Sequence, residues 1–247
     1  MEERTVFKAC AVTDVGRRRK LNQDYVYTSS EAVGNLDNLF IVADGMGGHN
    51  AGDYASRMAV ETMIEAVRES KSLSPRKIFQ EAFVIANKKI YEKSGEDVAL
   101  EGMGTTLVAA SFKEDAVTVA NVGDSRFYIV DEKEMIQVTK DHSWVEEMVE
   151  RGGLKREQAK HHPDKNIITR AVGTDLDLQI DYFEKRIKPN QIFLMCSDGL
   201  TNMLEDEEIH KILSEQGDIE KKAADLVAAA NETGGADNIS VVLIAWL

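Results

Sequence analysis

Prolines are scarce, three in 247 residues, and no Ser/Gly-rich or low-complexity tract interrupts the chain. Nothing marks an interdomain linker and no internal repeat is visible, so one domain over residues 1–247 is expected. The two cysteines, Cys10 and Cys196, each sit inside an apolar strand-like run and are expected as reduced, buried thiols rather than a disulfide. The longest apolar run, VVLIAWL at 241–247, falls far short of the ~20 residues that span a bilayer. The first ten residues, MEERTVFKAC, lack the apolar core of a signal peptide, so a cytoplasmic protein with no membrane association is expected. Lysine and arginine number 30 against 43 acidic residues, a net charge of −13. That excess argues against a surface that tracks nucleic-acid phosphates, and it suits a site that gathers cations.

What is present is an ordered series of apolar segments. TVFKACAVT (5–13), DYVYT and LFIVA read as strands. From Ala51 to Glu69 the period changes, and Ala55, Met58, Ala59, Met63, Ile64 and Val67 fall on one helical face. Ser74-Pro75 predicts the start of a second helix, serine as N-cap and proline at the first helical position. Its buried stripe is Ile78, Phe79, Ala82, Phe83, Ala86 and Ile90. Four strands follow (TTLVAASF, AVTVANV, SRFYIV, MIQVT), then a short helix, SWVEEMVER, stopped by Gly152-Gly153. Residues 152–173 are polar and weakly periodic. Strands resume at LQIDYFEKRI and QIFLMCS, and two helices near 206–215 and 218–231 precede the last strand, ISVVLIAW. Strands in blocks and helices in pairs imply an α+β layering: two packed sheets, mainly antiparallel, with helix pairs outside. The continuous apolar runs LFIVA, IFLMC and VVLIAW are then covered on both faces.

Aspartate recurs at the ends of these runs. FIVAD ends on Asp44, VTVANVGD on Asp124 and IFLMCSD on Asp198; Asp237 lies just ahead of the final strand and Asp24 opens the second. Each alone is an ordinary turn residue. Together, on strand ends fixed by a core, they are expected to converge at one edge of a sandwich, where they would repel unless a cation neutralised them. All-oxygen donors suit Mg²⁺ or Mn²⁺, and glycine lets a backbone carbonyl approach an ion. No zinc-type His/Cys cluster is present, and His161-His162 lies in a polar loop, solvated rather than ligating. Two such ions ~3.5–4 Å apart activate a water for phosphoryl displacement.

The segments TDVGRRRKLNQD, FIVADGMGGH, GMGTT, NVGDSR, CSDGL and GGADNISVVL, in this order, resemble the metal-dependent type 2C protein serine/threonine phosphatases, above all their compact bacterial members. The resemblance covers essentially the whole chain. It implies an α-β-β-α sandwich with the metal centre in a cleft at one end of the sheets, and residues 152–173 correspond to the flap beside that cleft. It implies two Mn²⁺ or Mg²⁺ ions and a third, weaker one. Asp44 would bridge the pair and the Gly45 carbonyl would join it on one ion. Asp198 and Asp237 would hold one ion beside Asp44, and Asp24 would support the other through water. Gln23 stands where some relatives have glutamate. Asp124, with Asp198, would hold the third ion.

Arg19, five residues before Asp24, matches the phosphate-binding arginine, whose guanidinium holds two oxygens at once. Arg17 and Arg18 are expected as solvated strand-edge charges, and Asn238 as the residue that fixes the loop of Asp237. Met46 stands where animal relatives have a histidine. His49 matches a histidine of bacterial members and is the candidate proton donor, with a structural role at the helix start as the alternative. The implied reaction is hydrolysis of phosphoserine and phosphothreonine through a metal-bridging water or hydroxide, without a covalent phosphoenzyme. The implied partners are phosphorylated proteins, among them a cognate Ser/Thr kinase, met by a monomer that binds neither nucleic acid nor membrane.

Other classes fit less well. Cys10 precedes Arg17 at the wrong spacing for a cysteine phosphatase, and no strand-end aspartate has a second acid two residues on, as aspartyl-phosphate enzymes need. A Ca²⁺ module lacks a contiguous ligand loop. The serious rival is a catalytically silent relative acting as a phosphoprotein-binding or regulatory module; such a protein is expected to lose ligand aspartates.

Overall fold

The computed structural model describes residues 7–48 and 51–246. Two antiparallel sheets lie face to face. One takes β1 (Phe7–Asp14), β11 (Ile239–Trp246), β10 (Ile192–Cys196), β7 (Arg126–Val130) and β8 (Met135–Gln137) in that spatial order. The other runs β2 (Asp24–Ser29), β3 (Leu39–Met46), β5 (Leu107–Lys113), β6 (Ala116–Val122) and β9 (Asp181–Arg186), and the short β4 (Gly104–Thr105) pairs with the end of β3. Helices α1 (Ala51–Glu69) and α2 (Pro75–Glu96) pack on the second sheet, and α6 (Asp206–Ser214) and α7 (Ile219–Glu232) on the first. The expected four-layer sandwich is the one observed.

The continuous apolar runs resolve into period-two strands covered on both faces. In β3, Phe40 and Val42 point between the sheets while Leu39, Ile41 and Ala43 meet the helices. In β10, Phe193 and Met195 point inward while Leu194 and Cys196 face α6 and α7. Phe112 centres the layer between the sheets, 4.6 Å from Phe7 and 4.7 Å from Phe193 by ring centroids. Its truncation to alanine would cost roughly 3–5 kcal/mol. Cys10 and Cys196 are free. They lie on β1 and β10, which flank β11, so two strand spacings of ~4.8 Å each hold them beyond disulfide reach. Cys10 is only half-buried, its thiol donating to the Ile219 carbonyl at 3.3 Å.

Several boundaries differ from those expected. Ser74 occupies the N-cap of α2 without a side-chain cap hydrogen bond, and Pro75 alone sets the start. The strand holding Asp44 continues through Gly45 to Met46, because β4 pairs with its end. Asp198 does not end a strand: β10 stops at Cys196 and Asp198 opens a one-turn helix, α5 (Asp198–Thr201). Beyond α3 (Trp144–Glu150), the polar stretch after Gly153 contains a short helix, α4 (Arg156–Lys160). None of the described helices is long and apolar enough to cross a membrane.

Candidate metal centre

The sandwich delivers five aspartates to one end of the two sheets. Asp24 and Asp44 are register partners across β2 and β3. Asp124 follows β6, Asp198 opens α5 and Asp237 leads into β11. Arg19, Asp44, Gly45, Asp124, Asp198 and Asp237 line one cavity of about 240 Å³, with Gln23, Thr106 and Asn238 in its wall. Asp24 lies behind them, 5% exposed. His49, the candidate proton donor, lies outside the described residues.

Short hydroxyl side chains hold the acids in place. The Asp44 amide donates to Thr106 Oγ1 at 3.0 Å, and its carbonyl accepts from Thr105 Oγ1 and from the Thr106 amide, both at 2.9 Å. Ser197 Oγ donates to Asp24 Oδ2 at 2.7 Å while accepting the Ser240 amide at 3.0 Å. Asn202 donates to Asp198 Oδ2 at 2.8 Å. Gly45 lies so close to α1 that a Cβ there would stand 2.0 Å from the Gly52 carbonyl oxygen, which only glycine avoids. Asn238 takes the role expected of it. Its Oδ1 accepts the Gln23 amide at 2.8 Å, and its Nδ2 donates to the Val15 and Leu21 carbonyls, each at 2.9 Å.

The electrostatics show what the site needs. Burial raises the Asp24 carboxyl to about 7, with Asp198 and Asp237 adding to the push against the Ser197 hydrogen bond. Asp44, Asp124 and Asp198 are also pushed up, first by desolvation and then by neighbouring aspartates. Asp44 and Asp198 keep some opening to the cavity, so solvent moderates the shift without reversing it. Asp24 Oδ1 and Asp198 Oδ1 are buried with no hydrogen-bond partner among the described residues. Arg19 supplies one charge, its Nη2 2.7 Å from Asp237 Oδ2. Arg126, near Asp124, is already clamped by Asp141 through Nε at 3.0 Å and Nη2 at 2.7 Å.

Orphaned carboxylate oxygens, mutual repulsion and an all-oxygen donor set fit hard divalent cations. Among the described residues no three acidic, His or Cys side chains form a ready-made cage around one point.

The sequence did not single out His142. Its Nδ1 accepts the Gly123 amide at 3.1 Å, its own amide donates to the Gly123 carbonyl at 3.0 Å, and its carbonyl accepts the Thr169 amide at 2.8 Å. Nδ1 as acceptor places the proton on Nε2, which faces Asp181 Oδ2 at 3.2 Å, where Arg170 also binds. Burial lowers this imidazole's pKa, so the neutral form is the resting one. His142 thereby ties residues 168–170 to the turn that carries Asp124. Asn166 and Ile168 line the aspartate cavity, and the 600 Å³ cleft beside it is walled by Lys160 of α4, by His161 and Lys165 just after that helix, and by Glu205 at the start of α6. His162 instead packs on Trp144, ring centroids 5.1 Å apart.

Residues 16–243 match the model of the Protein phosphatase 2C family. A serine/threonine phosphatase stp of Listeria monocytogenes is 41% identical over 238 residues, covering 94% of this chain and 93% of the relative. The crystal structure of serine/threonine phosphatase Stp1 from Staphylococcus aureus superposes with a TM-score of 0.92 at 33% identity, covering 100% of this chain and 98% of that one. The catalytic domain of the serine/threonine protein phosphatase PstP, solved with two manganese ions, matches at a TM-score of 0.85 and 30% identity, with 97% and 98% of the two chains covered.

Proposed function

The chain belongs to the protein phosphatase 2C family, and from that premise we propose that it is a metal-dependent enzyme hydrolysing phosphoserine and phosphothreonine on proteins. The single observation that carries this is the gathering of Arg19 with Asp44, Asp124, Asp198 and Asp237 around one cavity. A silent relative would have no use for intact carboxylates held against their own repulsion.

Asp44, the Gly45 carbonyl, Asp198 and Asp237 would hold two divalent ions, with Asp24 behind them, and Asp124 with Asp198 would hold a third. The ions, when bound, supply Lewis acidity and a nucleophilic water at neutral pH. Arg19 is half exposed beside Asp237, so its free N–H groups are available to two phosphate oxygens. The Thr105, Thr106 and Ser197 hydroxyls keep the acids from moving as charge develops. The departing Ser/Thr oxygen needs a proton, and His49 remains the residue proposed for it. A cytoplasmic monomer acting opposite a Ser/Thr kinase is part of this proposal and rests on resemblance.

Hydrolysis of a phosphothreonine peptide with Mn²⁺, with and without chelator, tests the proposal. Metal-dependent release of phosphate is expected, and no release at any Mn²⁺ concentration would sink it.

A further inference from the structure

The −13 chain carries four consecutive cations, Arg17-Arg18-Arg19-Lys20, of which Arg19 lines the acidic cavity. All four are exposed. The turn that presents them is held from several sides. The Gly235 carbonyl accepts the Arg17 amide at 2.7 Å and the Arg18 amide at 3.2 Å. Asn238 Nδ2 gathers the carbonyls on either side of the cations, those of Val15 and Leu21. Gly16 has φ +80°, and a Cβ there would stand 2.1 Å from the Asp237 carbonyl oxygen. The cations are thus fastened to the segment that carries Asp237.

Their partners differ from those of the flap cations. On the flap, Arg156 is paired with Glu146, Lys160 with Glu205 and Arg170 with Asp181. In the turn, Arg19 is paired with Asp237, while no carboxylate among the described residues forms an ion pair with Arg17, Arg18 or Lys20. The stem of Arg17 lies against Gly235, its Cγ 2.8 Å from where a Cβ at that glycine would stand. Arg18 and Lys20 stand immediately before and after the phosphate-binding arginine in the chain, both exposed and without an ion pair among the described residues.

Resting on the phosphatase function proposed above, we infer that Arg18 and Lys20 form a subsite for a second anion on the substrate, so that the preferred segments carry a carboxylate or a second phosphate within about two residues of the phosphorylated one. Consecutive Cα atoms are ~3.8 Å apart in both chains, so an extended peptide whose phosphate meets Arg19 brings its neighbours within reach of these side chains. The same cations exclude basic flanks by repulsion, which sharpens the choice. Exposed pairs are weak singly and screened over ~8 Å in physiological salt, so the preference is moderate and salt-sensitive.

The test compares kcat/KM with Mn²⁺ on three phosphothreonine peptides: neutral flanks, glutamates two residues away on each side, and a non-hydrolysable phosphonate two residues away. The parent protein is expected to favour the anionic peptides roughly threefold to tenfold over the neutral one at low salt. In the Arg18→Gln/Lys20→Gln double variant the ratio should fall to about one, and since both rates come from one sample, partial misfolding cancels. A Lys185→Gln/Lys188→Gln control, exposed positions toward and beyond the far end of β9, should keep the ratio. Equal rates in the parent, a ratio that survives in the double variant, or its loss in the control would each overturn the subsite. Preference for only one anionic peptide identifies the source as carboxylate or phosphate. Failure to hydrolyse any of the three would instead strike at the phosphatase proposal itself.

Discussion

Asp24 and Asp44 face each other as register partners across β2 and β3, two like charges set directly opposite in a ladder. Cβ atoms so paired lie ~5 Å apart, an arrangement that destabilises a sheet unless something neutralises it. In the absence of metal the Asp24 carboxyl is raised to about 7, first by burial and further by Asp198 and Asp237. Between the unfolded value near 3.8 and that folded value the native state binds more protons than the unfolded one, so stability falls as pH rises. In chelator, Asp24→Asn should be more stable than the parent at pH 8, by on the order of 1–3 kcal/mol, with the gap closing toward pH 4–5. Thermal melts across pH check this. A gap that widens on acidification would refute the sign.

Arg19 makes its ion pair with Asp237 and no contact with Asp44 or Asp198 closer than through-space attraction. Arg19→Ala should therefore leave metal content near normal while raising KM for a phosphothreonine peptide and lowering kcat/KM. The loss should be roughly 2–4 kcal/mol if the contact strengthens in the transition state. Unaltered kinetics would remove Arg19 from phosphate binding.

His142 satisfies a buried amide, that of Gly123, which loses this acceptor if the ring is removed. His142→Leu should destabilise the fold by about 1–3 kcal/mol, and His142→Asn, whose carbonyl oxygen can accept the same N–H, should recover much of it. The comparison of melting temperatures decides it, since equal losses in both variants would mean the hydrogen bond is not what matters.

Sequence patterning was sufficient for the layers, because β3, β10 and β11 alternate with period two even where every residue is apolar. It was also sufficient to bring Asp44, Asp124, Asp198 and Asp237 to one cavity, since each lies within two residues of a strand or helix end. Residues whose importance depends on what they touch were not legible. His142 reads as one more polar residue before a helix until Gly123 and Thr169 are seen on either side of it. Ser197 and Thr106 belong to recognised motifs, but their hydrogen bonds to Asp24 and Asp44 span 173 and 62 residues. Nor does composition reveal that three of the five flap cations are already paired.

That pairing bears on the flap. With Arg156, Arg170 and Lys160 neutralised, Lys155 and Lys165 remain without an ion pair among the described residues, and Lys165 borders the larger cleft. Shortening residues 152–166 should impair phosphoprotein turnover more than hydrolysis of p-nitrophenyl phosphate, through lost shape more than lost charge. Equal impairment on both substrates would reject a substrate-selecting flap.

Asp124 stands apart from the Asp24–Asp44 pair. Its carboxyl is raised by burial, then by Asp198 and Asp141, and it follows a different strand, β6. If it serves only a third ion, Asp124→Ala should keep two tightly bound Mn²⁺ by calorimetry while turnover drops strongly. Loss of the tight pair would place Asp124 among their ligands instead.

Asp44 is the residue on which the proposed chemistry turns. It opposes Asp24 in the ladder, feels Asp198, Asp124 and Asp237, and is fixed at both its amide and its carbonyl by Thr105 and Thr106. Asp44→Asn preserves that backbone frame, because Thr105 and Thr106 bind main-chain atoms and not the carboxylate. It removes the one charge proposed to be shared by two dications, which otherwise repel each other at short range. The fold should survive, and in chelator it should gain stability at neutral pH as one repelling charge disappears. Activity should not survive: one ion can remain on Asp198 and Asp237, but a single Lewis acid leaves little nucleophilic water at pH 7. The expected result is a folded variant that binds fewer Mn²⁺ by calorimetry and loses at least ~10³-fold in turnover, a deficit that added Mn²⁺ does not restore. Near-normal turnover in Asp44→Asn would end the case for a shared bridging carboxylate.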